Sequence, residues 1–145
     1  MAGPAVRALG IDLGSKRIGI AVSDRSGTIA SPLVVLQRSG SLRRDHESIA
    51  KLVIEEEAEI LVVGLPLNMN GTSGPAAQAA VKEAEALATV VGVPVITFDE
   101  RRTTVTADRA LMEARIGATA RRKLVDKVAA AVLLQTWLDS RAASS

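Results

Sequence analysis

After its first forty residues the chain changes hydrophobic period, and that change narrows the folds open to it. Three short β-rich runs, Arg7 to Gly14, Arg17 to Asp24 and Thr28 to Leu36, are separated by the turn signals Gly14-Ser15-Lys16 and Arg25-Ser26-Gly27. Gaps this short join antiparallel neighbours, so the runs read as a three-stranded meander. From Leu42 the pattern is different. Leu42, Ile49, Leu52 and Val53 fall near helical spacing and lead through Glu55-Glu56-Glu57 into the continuous apolar run Ile60 to Gly64. Pro75 stands where a first-turn proline belongs, Ala76 to Val91 is rich in helix formers, Gly92 is a stop, and Val93 to Phe98 is a further strand. Thr104 to Ala114 and Arg121 to Ser140 read as two more helices. The expected architecture is α/β: a mixed five-stranded sheet, three antiparallel strands followed by two parallel ones, with helices on both faces.

At 145 residues, with 48% hydrophobic and 23% charged residues, the chain fits one folded domain over residues 1–145, with short flexible ends near 1–5 and 142–145. There is no cysteine, which excludes disulfides, thiolate zinc sites and a cysteine nucleophile. Met1 to Arg7 lacks the apolar core of a signal peptide, and no apolar run approaches the ~20 residues of a membrane span, so a cytoplasmic protein without a membrane partner is expected. The net charge of +2 is unevenly spread: Arg101 to Lys127 holds eight basic and three acidic residues, net +5, which leaves −3 on the remainder. That asymmetry suits a polyanionic partner, although a solvated helix face would look the same.

Three acids need explaining. Asp12 interrupts the apolar run Leu9 to Leu13, and a buried carboxylate must be paired, metal-bound or near a strand end. Gly10 and Gly14 flank it, and Gly14 with Ser15 makes a tight turn that leaves room beside the carboxylate. Asp99 and Glu100 follow Val95 to Phe98 directly, at the carboxyl end of a strand entered from a crossover helix, where ligands of open α/β sheets collect. Adjacent side chains there point to opposite sides, so one can face the site while the other pairs, and both could instead neutralise Arg101 and Arg102. Asp126 lies in the first turns of a helix that is apolar over most of its circumference, where the helix dipole or an ion pair with Arg122, Lys123 or Lys127 is the alternative to a ligand role.

If the three acids converge, an all-carboxylate site suits Mg²⁺ or Mn²⁺, and two such ions about 3.5–4 Å apart can clamp a scissile phosphate. Around them, the loop Gly64 to Pro75, with Asn68 and Asn70, opens a helix whose first N–H groups can receive a phosphate. Lys16, Arg17, Arg101, Arg102, Thr103, Thr104, Arg121, Arg122, Lys123 and Lys127 supply the groups expected to grip phosphates rather than read bases. No stretch matches a P-loop. His46, between Asp45 and Glu47 on the first helix, reads as a surface residue, and with Phe98 and Trp137 the only aromatics there is little material for base stacking.

Four segments, Gly10 to Asp24, Val63 to Gly71, Asp99-Glu-Arg-Arg-Thr-Thr104 and Val125 to Ala130, resemble in order and spacing the YqgF family, also called RuvX, of pre-16S ribosomal RNA nucleases and Holliday junction resolvases. The resemblance implies a ribonuclease H-like fold and an acidic triad at Asp12, Glu100 and Asp126. It also implies a nucleic-acid partner, precursor ribosomal RNA or branched DNA, handled by a monomer or a homodimer. Two departures stand out: Asn70 where Asp is usual, a change that keeps turn chemistry because Asn tolerates left-handed backbone, and Arg102 where Leu is usual. Two other readings compete. Asp12 to Ala21 also resembles the first phosphate loop of actin-like ATPases, which need twice this length, and a ribosome-assembly factor could bind nucleic acid without cutting it.

Overall fold

The computed structural model describes residues 6–102 and 118–143. The meander is present as β1 (Ala8–Leu13), β2 (Arg17–Ser23) and β3 (Ala30–Gln37). It is followed by α1 (Leu42–Glu55), β4 (Ile60–Leu65), α2 (Pro75–Val91), β5 (Val95–Asp99), a 3₁₀ turn over Glu100–Arg102, and α3 (Ala118–Ala143). The helix expected over Thr104 to Ala114 lies outside the described residues. α3 outruns the expected Arg121 to Ser140 by three residues at each end, because Ala-Thr-Ala before it and Arg-Ala-Ala after it contain no helix breaker.

The sheet order is β3-β2-β1-β4-β5, with β1/β2 and β2/β3 antiparallel and β1/β4 and β4/β5 parallel. This is the expected mixed sheet. β1 and β4 are central and buried on both sides, so they read as apolar runs without alternation. One face carries Leu9, Ile11, Ile18, Ile20, Leu61 and Val63 under α1 and α2, with Ile49, Val53, Ala84 and Leu87. The other carries Ala8, Ala21, Val62 and Phe98 under α3, with Ala130, Leu133, Leu134 and Trp137. Trp137 is core, as its place in an apolar helix suggested. Among the described residues no helix is long and apolar enough to cross a membrane.

The helix ends follow local chemistry. The Ser41 hydroxyl accepts from the Arg44 N–H at 3.3 Å and starts α1. α2 starts with Pro75 in its first turn and stops at Gly92, whose φ of 71° is left-handed and comfortable for glycine. The phase of α1 corrects the sequence reading. Its inward stripe is Asp45, His46, Ile49 and Val53, while Leu42 is 55% exposed. His46, expected at the surface, is 2% exposed. Two polar side chains take inward positions because Arg38 and Ser39, just after β3, and Glu83 of α2 meet them there.

α3 sits unusually close to the sheet. A Cβ built on Gly10 of β1 would stand 2.7 Å from Leu134 Cβ and 2.9 Å from the Ala130 carbonyl oxygen. Neither atom is the tip of a flexible side chain, so the helix itself would have to lift. Gly10→Ala should therefore destabilise the fold by about 1–3 kcal/mol through overpacking, read as a lower urea midpoint. An unchanged midpoint would mean that α3 does not press on β1 there.

Candidate active site

Alternation along β1 puts Ala8, Gly10 and Asp12 on the α3 face, since Ala8 packs in that cluster and Gly10 meets Leu134. Asp12 is 9% exposed near the carboxyl end of the strand. On one side its register partner is Gly19 of β2. On the other, Ile11 pairs Val63, so one step further Asp12 stands beside Gly64 of β4. A glycine on each flank removes the side chains that β2 and β4 would otherwise place directly beside the carboxylate.

Glu100 fills part of that space. β5 continues the same alternation through Ile96 and Phe98, which pack under α3, and the 3₁₀ turn that follows brings the Glu100 side chain to that side. Its side chain lies over Gly64, close enough that a Cβ there would collide with Oε1 and approach Cγ and Cδ to 3.0 Å. Since neighbouring strands are about 4.8 Å apart, the Glu100 carboxylate is laid over the strand that adjoins Asp12.

Asp99 takes the other role open to an adjacent acid. Its Oδ1 accepts from the Arg101 backbone N–H at 2.9 Å, and Oδ2 accepts from Nη2 at 2.7 Å. Arg101 in turn donates from Nη1 to the Met69 carbonyl at 3.3 Å and covers Gly71. This guanidinium, expected to grip phosphate, ties the loop after β4 to the end of β5.

The loop holds itself in shape. Gly71 N–H donates to the Asn68 carbonyl at 2.8 Å, Asn68 Nδ2 donates to Thr72 Oγ1 at 3.0 Å, and Asn70 Oδ1 accepts from both the N–H and the hydroxyl of Thr72 at 3.0 and 2.7 Å. The left-handed residue is Gly71, with φ 85°, not Asn70. Asn70 is tolerated in place of Asp for a different reason from the one expected: only its acceptor oxygen is used, and Asp carries the same oxygen.

Gly14, Ser15 and Lys16 form the hairpin between β1 and β2, closed by Gly14 N–H on the Arg17 carbonyl at 3.0 Å. Ser15 and Lys16 are exposed, and alternation through Ala21 and Gly19 puts Arg17 on the Asp12 face. α3 runs antiparallel to β1. Gln135 bonds Ala30 and Thr28 at the end of the sheet where β1 begins, whereas Ala130 meets Gly10. Position 126, one turn before Ala130, therefore lies toward the end that carries Asp12. The side chains of Arg102, Arg121, Arg122, Lys123, Asp126 and Lys127, and all of Thr103 and Thr104, lie outside the described residues.

Sequence reasoning missed a charged cluster on the opposite face. Glu83 of α2 accepts from Arg38 Nη1 and Nη2 at 2.6 and 2.9 Å, and His46 Nε2 lies 2.9 Å from Glu83 Oε2. Burial pushes the Glu83 carboxyl up, but the bonds from Arg38 and His46 outweigh it and hold the group below its ordinary value of 4.5. A depressed native pKa contributes stability that is complete above the ordinary range and is lost as pH falls through the native value. Glu83 faces Arg38, His46 and, across Arg38, Asp45. Glu83→Gln should be less stable than wild type at pH 7, and the gap between their urea midpoints should close on acidification below pH 4.5. A pH-independent gap would remove the ionised carboxylate from the account.

A five-stranded 3-2-1-4-5 sheet with helices on both faces and carboxylates at the end of its parallel strands is a ribonuclease H-like architecture. The solved structures of similar fold include Thermus thermophilus RuvC in complex with a Holliday junction (TM-score 0.59, 17% identity, 93% of this chain and 96% of that one) and Thermus thermophilus RuvC alone (0.58, 16%, 94% and 97%). The family model RuvX, described as Holliday junction resolvase, matches residues 6–140, and the chain belongs to that family. Among its relatives, proteins of Thermoanaerobacter pseudethanolicus (44% identity, 94% of this chain, 98% of the relative), Myxococcus xanthus (45%, 93%, 89%) and Mycobacterium sp. strain KMS (47%, 95%, 82%) each carry the name "Putative pre-16S rRNA nuclease". This is a family of nucleases.

Proposed function

We propose that the protein is a cytoplasmic, metal-dependent endonuclease that hydrolyses phosphodiester bonds in structured nucleic acid, with precursor 16S ribosomal RNA as its substrate. The observation that carries the reading is the Glu100 carboxylate laid over Gly64 beside buried Asp12. Two acids at the end of a parallel sheet, bordered by glycines, form an open all-oxygen donor set that fits a hard divalent cation. Asp12 and Glu100, joined by Asp126 from α3, would hold Mg²⁺ or Mn²⁺. Bound there, two ions would supply an activated water and charge compensation for the leaving oxygen.

The chain's own groups do the rest. Lys16 and Arg17, on and beside the hairpin, and the basic residues Arg102, Arg121, Arg122, Lys123 and Lys127 hold the phosphate backbone along the edge of the site, with Thr103 and Thr104 adding hydroxyls. Asn68, Asn70 and Arg101 act first by shaping the loop that borders it. The RNA substrate is favoured by the names of relatives that match this chain at 44–47% identity over nearly its whole length. A second reading, resolution of four-way DNA junctions, is favoured by the description of the family model. It calls for two active sites and so favours a homodimer, whereas trimming an RNA end needs only one site, which a monomer supplies.

Labelled RNA with the extended 5′ end of precursor 16S ribosomal RNA and a labelled four-way junction, each incubated with Mg²⁺ or Mn²⁺, separate the two. Cutting of the RNA alone is expected. Paired symmetric nicks in the junction would transfer the assignment to resolution. Tight binding without cutting of either would make the protein an assembly factor.

A further inference from the structure

Arg38, Asp45, His46 and Glu83 lie on the face of the sheet opposite Asp12, and the proposed chemistry uses none of them. Their side chains are only 16%, 6%, 3% and 12% exposed. Burying so many charged and titratable groups is a poor way to hold two helices on a sheet, since apolar side chains of the same volume serve as well or better. What such a cluster provides is direction: a guanidinium fork locked on a carboxylate has one geometry.

That direction leads to the hairpin. Arg38 Nε donates to the Gly14 carbonyl at 2.9 Å, and its backbone N–H donates to the Lys16 carbonyl at 2.9 Å. One residue thus grips both sides of the turn. Gly14 itself donates to the Asp12 carbonyl at 3.2 Å, so the turn is bonded to the backbone of the residue that carries the site's buried carboxylate. Behind the fork, Glu83 holds both Nη atoms, His46 holds Glu83, and Asp45, which stands 3.9 Å from Arg38 Nη1, accepts from the Ser39 N–H at 3.0 Å. An open cleft of about 260 Å³, lined in part by Gly14, Ser15, Ala79, Ala80 and Glu83, separates the turn from α2 here, and the Arg38 bonds span it.

We infer that Arg38, Glu83 and His46 are positioning residues: a buried brace that links α1 and α2 to the Gly14–Lys16 hairpin and, through it, sets Asp12 and Arg17 for catalysis from the far side of the sheet. The kinetic part of this inference rests on the proposed nuclease activity, and the structural part does not.

The test uses Arg38→Lys, which keeps the charge but loses both the Nε donor and the fork, together with Glu83→Gln, His46→Leu and His46→Gln. Amide hydrogen exchange is measured without metal, and cleavage with Mg²⁺. In Arg38→Lys, Glu83→Gln and His46→Leu the Gly14 amide should exchange at least ten times faster, while Leu9 and Ile11 lose only the protection that each variant's lower urea midpoint accounts for. In the same three variants kcat should fall about tenfold with KM within about twofold, the size expected when the support of a site residue is removed. His46→Gln, which can still donate to Glu83, should recover most of both.

Equal loss of protection at Gly14, Leu9 and Ile11 would overturn the inference, because the cluster would then be holding the whole fold. So would an unchanged Gly14 amide, or exchange that accelerates without any fall in kcat. If the wild type cuts neither substrate, the nuclease reading fails on its own, and the exchange pattern alone decides whether the brace holds the hairpin. Should Arg38→Lys not fold, His46→Leu against His46→Gln gives the same decision.

Discussion

Asp12→Asn should abolish metal-dependent cleavage, by about 10³-fold or more, while leaving a folded protein. Asparagine has the shape of aspartate, so the packing of β1 between β2 and β4 is kept. What goes is the negative charge at a position 9% exposed and bordered by Gly19 and Gly64. Charge compensation by a bound cation is worth several kcal/mol in a transition state, and about 4 kcal/mol corresponds to 10³ in rate. The measurements are turnover on the RNA substrate and a thermal melt of both proteins, with nucleic-acid affinity in metal-free buffer as a third. Loss of cutting with retained binding and a retained cooperative melt is the expected result. Cutting that survives the substitution would remove Asp12 from the site and the proposed mechanism with it.

Gly64→Ala should have the second largest effect, and it should fall on activity rather than stability. The added Cβ would collide with Oε1 of Glu100 and press on its Cγ and Cδ. Those atoms end a side chain with several rotatable bonds, so the protein can relieve the overlap by swinging the carboxylate aside. The strand need not move. Displacing a reacting group by about 1 Å costs on the order of 10² in rate, so kcat/KM should fall by about that factor. The melt should stay near wild type, because alanine also restricts the unfolded chain relative to glycine. Gly10→Ala is the contrast, since the atoms its Cβ meets belong to the α3 backbone and to a Cβ that cannot rotate away. A Gly64→Ala enzyme of normal activity would show that the position of Glu100 over β4 is unimportant. One that melts early but turns over normally when folded would say the same.

Much of this arrangement is legible in the chain, and the legible parts share a property. The hairpins at Gly14 and Arg25, the stop at Gly92, the entry at Pro75 and the buried strand Ile60–Leu65 each depend on residues within a few positions of one another. Asp12 and the Asp99-Glu100 pair stand out for the same reason, as acids where local pattern demands apolar side chains or a strand end. The phase of α1 escapes a periodicity argument because Asp45 and His46 are polar, and such an argument assigns polar residues to solvent. Their inward placement makes sense only with Arg38 and Glu83, and Glu83 lies 37 residues beyond His46. Local turn chemistry likewise points to the backbone conformation of Asn70, whereas the structure gives Gly71 that role and Asn70 that of an acceptor.

By itself, then, the sequence determined the kinds and order of the elements, the mixed sheet they imply and the acids worth attention. These follow from propensity, periodicity and turn chemistry, which act over one or two turns of chain. Tertiary structure alone decided that Gly64 is the floor under Glu100, that Gly10 lets α3 approach β1, and that Arg101 turns back to Asp99 instead of outward. It alone decided that His46 of α1, Glu83 of α2 and Arg38, just after β3, meet beneath the hairpin. Each of these is a contact between residues whose separation in the chain says nothing of their separation in space, and side-chain direction is set only when the sheet has registered and the helices have closed on its two faces.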